Sequence, residues 1–451
     1  MSTQPTSGEQ VDGLNAGITR ISVGGYKSLL KEQHIDIRPL TILAGANSSG
    51  KSSIMQPLLL LKQTLEASYD PGTLMLNGPN IRFTSSDQLL SRNAKDERAS
   101  KFFVTVGVGS AAVTIHLQRQ ANKGFEVQQA IYATEDTEVT LRPEMTHAEL
   151  SSELPADLNR LLEVFPKSKG RKPQWMVVRN RCLLDLRMQI VEPDGTTEMS
   201  FGGGFLPASI IEEHIRRVIH LPGLRGNPER TYPITAVGST FPGTFEKYAA
   251  SVISQWQANP NLSEMRQLGD DFEKLGLTWK VASRPVDDTQ VEIRVGRLPH
   301  AAKGGARDLV NIADVGFGAS QALPVLVALR VARPEQLVYL EQPEIHLHPR
   351  AQTAMAQVLA DAANRGVRVV AETHSAILIL AIQSLVAEGY ISPEKVRLHW
   401  FRRHGDGTTE VTSADLDEAG AYGDWPEDFA EIALEAESRY LDASEQRQRQ
   451  C

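Results

Sequence analysis

The stretch LVYLEQPEIHLHPRAQ, residues 337–352, is the one whose reading decides the fold. Its apolar run ends in Glu341, and an amide, a proline and a second acid follow as Gln342, Pro343 and Glu344. An apolar strand that delivers a carboxylate at its C-terminal end is how P-loop nucleotide hydrolases hold a magnesium ion. The next position ordinarily carries the carboxylate that activates water, and here it is Gln342. The pattern predicts a buried strand over residues 336–340, closed by Glu341. It also asks whether a nucleotide is hydrolysed or only held.

The complementary half lies near the start of the chain. Residues 35–44, IDIRPLTILA, read as a strand that runs into GANSSGKSS, residues 45–53, and then into IMQPLLLLKQTL, a segment with the length and apolar load of a helix. Strand, glycine-bounded loop and helix are the context in which G-x-x-x-x-G-K-[ST] is a phosphate loop. Gly45 and Gly50 let the backbone curl so that its N–H groups converge on phosphate oxygens. Lys51 reaches the outer phosphates, the Ser52 hydroxyl is a magnesium ligand, and the helix N-terminus adds favourable partial charge. The cofactor-binding set is therefore Gly45, Ala46, Asn47, Ser48, Ser49, Gly50, Lys51, Ser52 and Ser53, with ATP and Mg2+ as the cofactors. Pro57 predicts a slight kink or a late helix start.

Two more segments join the opening stretch in the last third. DVGFGASQALPVLVAL, residues 314–329, is a glycine-rich turn opening an apolar helix, and its Gly318, Ser320 and Gln321 are candidates for a terminal phosphate. GVRVVAETHS, residues 366–375, is a second buried-strand pattern and ends at His374. Apolar strands alternating with helical segments such as 351–363 predict a parallel sheet covered on both faces. Ligands of such sheets gather beyond the carboxyl ends of the strands, where segments 41–52, 341–344 and 372–375 all emerge.

The motif order, Gly-x-x-x-x-Gly-Lys-Ser, Gly-Phe-Gly-Ala-Ser-Gln, Glu-Gln-Pro-Glu-Ile-His-Leu-His-Pro, then Glu-Thr-His-Ser, resembles the ABC-type ATPases related to RecF and SMC. Within them it is most similar to the short bacterial AAA-family ATPases of defence islands, the Septu type among them. TRISVGGYKSLLKEQ, HLPGLRGNPERTYP and DLDEAGAYGDWPEDF extend the resemblance over most of the chain, with residues 84–290 matched thinly. The resemblance implies an α/β P-loop NTPase of ABC/SMC-head type with an α+β insertion and no long coiled coil. Its divisions are a disordered tail (1–13), an N-terminal ATPase lobe (14–83), an insertion (84–300), a C-terminal ATPase lobe (301–405) and a small C-terminal segment (406–451). By resemblance Glu341 binds metal, residues 316–321 form the signature loop that grips a partner's γ-phosphate, and His374 is the switch histidine. A metal-contacting glutamine belongs after the first helix, and Gln88 is the candidate. The partners implied are a second copy, as a homodimer or higher oligomer, and a separate effector, a nuclease or toxin.

Gln342 departs from that pattern, since an amide does not accept the proton of attacking water as a carboxylate does. Either Glu344 supplies the carboxylate, or hydrolysis is slow and positioning plus metal electrostatics carry what remains. Both alternatives keep nucleotide binding. The candidate catalytic residues are Glu341, Gln342, Glu344 and His374.

Composition narrows the classes. The chain has 451 residues, 41% hydrophobic and 23% charged, ordinary globular values for more than one domain. A net charge of -8 gives no global pull toward nucleic acid or lipid, so any DNA contact must be a local patch. Cys182 and Cys451 alone support neither a disulfide framework nor a cysteine zinc site, which fits a reducing cytoplasm. No apolar run reaches the roughly 20 residues of a membrane span. His346 and His348 read as structural near a dimer surface. The basic cluster KSKGRK, residues 167–172, with Arg179 and Arg181, reads as a solvated loop before nucleic-acid contact. Arg225 and Arg230 read either as phosphate or partner contacts or as a surface pair. Residues 415–420, DLDEAG, spell the D-x-D-x-x-G of Toprim nucleases, but TTEVTSA before them is no continuous apolar strand, so an acidic turn is expected. A DNA-maintenance ATPase is the competing reading; a transporter subunit is weaker, because no membrane feature is visible.

Overall fold

The computed structural model describes residues 16–92, 98–121, 124–164, 172–191, 197–201, 206–259, 263–301, 303, 307–423 and 438–439. The expected tail, most of KSKGRK and most of the segment after Gly420 lie outside the described residues. The site is carried by one six-stranded sheet, and only its elements are numbered here. They are β1 (Leu40–Gly45), β2 (Ile219–Leu221), β3 (Leu337–Glu341), β4 (Arg368–Thr373), β5 (Val396–Arg403) and β6 (Thr409–Asp415). Their spatial order is β2-β3-β4-β1-β5-β6; all neighbours are parallel except β6, which returns antiparallel to β5. The carboxylate strand β3 is thus separated from the phosphate-loop strand β1 by one intervening strand, β4.

The central strands β1, β3 and β4 are short and largely apolar on both faces because both faces are buried, whereas the edge strand β6 is polar and partly exposed. Successive side chains alternate sides, and the two sides feed two cores. Leu40, Ile42 and Ala44 of β1 join Val338 and Leu340 of β3 in one. Leu43, Leu337, Tyr339 and Val370 join the other. The first core is closed by α2 (Phe317–Val331), α3 (Pro349–Asn364) and α4 (Ala376–Ala387). The second is closed by α1 (Lys51–Glu66), which runs through Pro57 without interruption.

Against α1 packs a second six-stranded sheet, wholly antiparallel, in the order Gln33–Asp36, Ile18–Gly24, Lys101–Val108, Ala111–Gln120, Gly124–Ala133, Glu138–Leu141. This corrects the expected partition. Residues 35–44 are not one strand: the chain breaks at Arg38–Pro39, where proline has no N–H for a ladder, and its halves enter different sheets. Strands from 101 to 141 widen the N-terminal sheet, and Ile219–Leu221 enters the core sheet, so 84–300 is not one inserted body. Thr409–Asp415 is the core sheet's edge, so no boundary falls at 406. The rest of the α+β region holds two smaller antiparallel sheets, one of residues 172–201 and one of 232–311. Among the described residues no helix exceeds the 16 residues of α1 and α3, there is no long coiled coil, and no helix is long and apolar enough to cross a membrane.

Candidate nucleotide site

The phosphate loop is shaped by local constraints that the motif itself supplies. Gly45 has φ 144° and Gly50 has φ 102°, conformations that favour glycine. A Cβ on Gly45 would stand 2.4 Å from the Phe401 carbonyl oxygen of β5, so side-chain bulk is excluded as well as strained. Ala46, Asn47 and Ser48 form the exposed crest, whereas Ser49 is buried beneath it. From outside the motif, Thr409 donates its hydroxyl to Ser49 O (2.7 Å) and Arg403 donates to Ser48 O (3.0 Å). The β5–β6 hairpin therefore braces the loop from behind. Lys51 lies folded onto its own loop, donating to Gly45 O (2.9 Å) and Ala46 O (2.8 Å). Burial pushes its ammonium down to about 8, against the pull of Glu372 and Glu344. A phosphate would replace carbonyl partners with charged ones.

Facing the loop is a cavity of about 530 Å³ lined by Lys51, Ser52, Ser53, Gln342, Glu372 and His374, and also by Lys27, Gln56 and Arg403. His374 places Nδ1 3.0 Å from Gly45 O, so the proton sits on that nitrogen. Burial and the Lys51 charge lower its pKa, which favours a neutral ring near neutral pH. The Ser52 hydroxyl donates to Glu372 Oε1 at 2.7 Å, and Tyr339 OH donates to Glu372 Oε2 at 2.6 Å. Burial raises the Glu372 carboxyl, partly offset by the Tyr339 bond. Oxygen donors from a hydroxyl and a carboxylate suit a small hard cation, so the residues present fit the Mg2+ that the motif implies.

The turn that follows β3, residues 341–348, is the Walker B turn of the resemblance, and it is arranged differently from the motif expectation. Glu341 is not among the residues lining the cavity. Its carboxylate is held by His220 Nε2 (3.2 Å) and by the Gly223 N–H (3.1 Å), both on the far side of the sheet beyond β3. Burial alone would raise this carboxyl, but His220, Gly223 and Arg225 together outweigh it and hold it below its ordinary value. Gln342 occupies the cavity wall at φ 48°, a left-handed conformation uncommon for glutamine. Its N–H is bonded to Glu372 O at 2.8 Å and its carbonyl to Arg225 at 3.0 Å. Glu344 turns inward: Oε1 accepts from the Thr373 hydroxyl (2.5 Å) and the His374 N–H (3.2 Å). It orients the switch-histidine turn and, like Glu341, does not line the cavity. Burial raises its carboxyl.

Arg225 is no surface residue. It is 9% exposed and donates to Glu341 O (2.8 Å), Gln342 O (3.0 Å) and Gln321 O (3.4 Å), tying the Walker B turn to the start of α2. Arg230 is exposed and pairs with Asp314. Gln321 is buried, donating to Gly226 O, while Ser320 is bonded to Phe317 O within its own turn. Gly318, Ser320 and Gln321 line other cavities, not that of the phosphate loop in the same chain. Gln88 is also elsewhere. Its carbonyl accepts from Thr84 N and Ser85 N in a capping box, away from the residues that line the cavity. Gln56, in the first helix, lines the cavity along with Gln342 and is bonded to Lys27 at 2.6 Å.

Other expectations resolve structurally. His348 caps α3 through Arg350 N, and His346 lies exposed beside Phe317, the ring centroids 5.9 Å apart. Arg179 pairs with Asp70, and Arg181 donates to carbonyls at the end of α1. In the D-x-D-x-x-G stretch Asp417 accepts from Ala419 N and Ala421 N, with Gly420 at φ 75°, and Asp415 pairs with Arg38, so these acids are engaged in a turn. No cluster of three potential metal-binding side chains among His, Cys, Asp and Glu occurs among the described residues.

Sequence reasoning missed Glu372, His220 and Tyr339. Glu372 carried a usable signal, since it too is an acid closing an apolar strand, the signature that marked Glu341. Tyr339 carried none, and His220 only its place at the head of the family-like stretch HLPGLRGNPERTYP.

Residues 167–381 match the family described as "AAA domain, putative AbiEii toxin, Type IV TA system". The match includes the Walker B turn and His374 and begins after the phosphate loop. No curated protein sequence matches the chain. Among solved structures, the chain is similar to an SMC head bound to the C-winged helix domain of ScpA, at 13% identity and TM-score 0.44, over 89% of this chain and 99% of that one. It is similar to the SMC head domain from Thermotoga maritima at 10% identity and TM-score 0.39, over 89% and 100%. A third is an SMC head with an extended coiled coil, bound to the C-terminal domain of ScpA, from Pyrococcus furiosus, at 12% identity and TM-score 0.44, over 88% and 96%. Phosphate loop and sheet order agree on an α/β P-loop NTPase fold, and residues 167–381 carry the likeness to an AAA-domain family.

Proposed function

We propose that the protein binds ATP with Mg2+ in the cavity between Lys51 and Gln342, hydrolyses it slowly, and uses the nucleotide-bound dimer as a switch. That switch serves as the regulatory or sensor subunit of a cytoplasmic antiphage complex with a separate nuclease or toxin effector. The observation that carries the reading is the wall opposite the phosphate loop, where an amide, Gln342, stands at the base position and Glu344 is turned to Thr373 and His374. Magnesium bound there supplies charge neutralisation for the β- and γ-phosphates. Lys51 contributes a movable cation, the loop N–H groups a cradle, and His374 a polar contact above it. Gly318 and Ser320 stand apart from this cavity, which supports a site completed by a second chain. The toxin description of the matched family supports the defence role.

Three measurements test this. ATP-dependent phosphate release should be slow and abolished by Lys51→Ala. Mixing Lys51→Ala with Ser320→Arg chains should restore part of the activity, because one site of a mixed dimer then carries neither lesion. No recovery in demonstrated mixed dimers argues for sites that act alone or only together. Expressed with its neighbouring genes, the wild type should lower phage plaquing efficiency and Lys51→Ala should not. Unchanged plaquing with a defect in survival of DNA damage would replace the defence reading with the DNA-maintenance one.

A further inference from the structure

Two carboxylates close adjacent strands in register, Glu341 on β3 and Glu372 on β4, with Glu372 in turn opposite Leu43 of β1. In-register neighbours of a parallel sheet point to the same face, so both acids lie on the side of α1. They differ by one strand spacing, about 4.8 Å, in distance from the phosphate-loop strand. That step decides their environments. Glu372 is 6% exposed, touches Ser52 Oγ at 2.7 Å, and stands in the cavity wall with Lys51 and His374. Its other oxygen is fixed by Tyr339, which reaches up from the strand that carries Glu341. Glu341 has both oxygens occupied by His220 and Gly223, donors on the opposite flank. Freeing it toward Ser52 would leave a 1%-exposed histidine without its carboxylate partner.

The geometry points to Glu372, rather than the motif acid Glu341, as the carboxylate that faces the magnesium ion beside Ser52. The role usual for the acid of the Walker B strand has moved one strand toward the phosphate loop. Glu341 instead acts as a positioning residue: with Arg225 on its carbonyl, it pins the turn that presents Gln342. Tyr339 bridges the two by holding Glu372 in the orientation that its bond with Ser52 requires. This inference rests on the proposed ATP site and assigns its metal-side residue.

The test measures binding, not turnover. Equilibrium dialysis of labelled ATP at low temperature, in EDTA and in excess Mg2+, gives the magnesium-dependent gain in affinity for each variant. The wild type should gain roughly tenfold or more, and Glu372→Gln should keep the EDTA affinity while losing most of that gain, since a charge-assisted contact is removed. Glu341→Gln should melt at a lower temperature yet keep more of the gain than Glu372→Gln. Tyr339→Phe should lose part of it, with the charge unaltered. Electron paramagnetic resonance of Mn2+ with ATP should show bound metal in the wild type and Glu341→Gln, and mostly free metal in Glu372→Gln. A gain that survives Glu372→Gln but vanishes in Glu341→Gln overturns the inference while leaving the ATP site standing. If Glu372→Gln does not fold, an unaltered gain in Tyr339→Phe with loss in Glu341→Gln overturns it equally. Absence of any Lys51-dependent ATP binding in the wild type overturns the site and this assignment together.

Discussion

The phosphate loop and the Walker B turn face each other across one cavity, yet they are held in different ways. The loop at 45–53 takes its shape from its own glycines and a lysine bonded to its own carbonyls, and Thr409 and Arg403 of one hairpin brace it from outside. The turn at 341–348 is shaped by groups distant in sequence: His220 and Gly223 on the Glu341 carboxylate, Arg225 on two of its carbonyls, and Glu372 O on the Gln342 N–H. An element shaped mostly by its own residues tolerates more changes elsewhere. An element held from outside transmits them. The turn is therefore the half that is tied to residues 219–226 and to the start of α2.

Arg225 gives the largest expected effect. Arg225→Met leaves three carbonyls without their donor in a buried setting, which costs about 3 kcal/mol of stability. Urea unfolding should show that loss, and a change under about 1 kcal/mol would mean that the turn is as self-sufficient as the loop. Lys51→Ala should weaken ATP binding about 100-fold, as expected for loss of charge-assisted bonds to phosphate. Its stability should fall much less than that of Arg225→Met, and an equal fall would erase the contrast between the two halves.

Turnover gives a smaller and more discriminating pair. Gln342→Glu places a carboxylate in the cavity wall and should raise phosphate release about tenfold, at or below the lower end of general-base effects. Glu344→Gln should change it by less than about threefold, because that carboxylate serves Thr373 and His374 and is not the base. A large loss in Glu344→Gln with no effect of Gln342→Glu would reverse the assignment. Smallest of all, Gln88→Ala should alter neither Mg2+-dependent ATP binding nor stability by more than about 0.5 kcal/mol, the size expected for an exposed turn. A marked loss of Mg2+ dependence would return Gln88 to the metal site.

Fold class and the phosphate loop were legible in the sequence because each depends on neighbours in the chain. Apolar strands closed by polar turns, a glycine at each end of GANSSGK and an apolar helix after it are all local statements, and the parallel sheet follows from their alternation. The order of motifs along the chain also placed Gln342 and His374 at the edge where they are found. Strand order, the break at Arg38–Pro39 and the membership of 101–141 and 409–415 were not legible, because antiparallel partners are chosen across long separations. The same limit governs the acids. By itself the sequence held the same pattern of an acid closing an apolar strand at Glu341 and at Glu372, and read alone it singled out Glu341. Only the tertiary structure decided which one faces Ser52, because β4 lies between β3 and β1 and His220, far away in sequence, occupies the other.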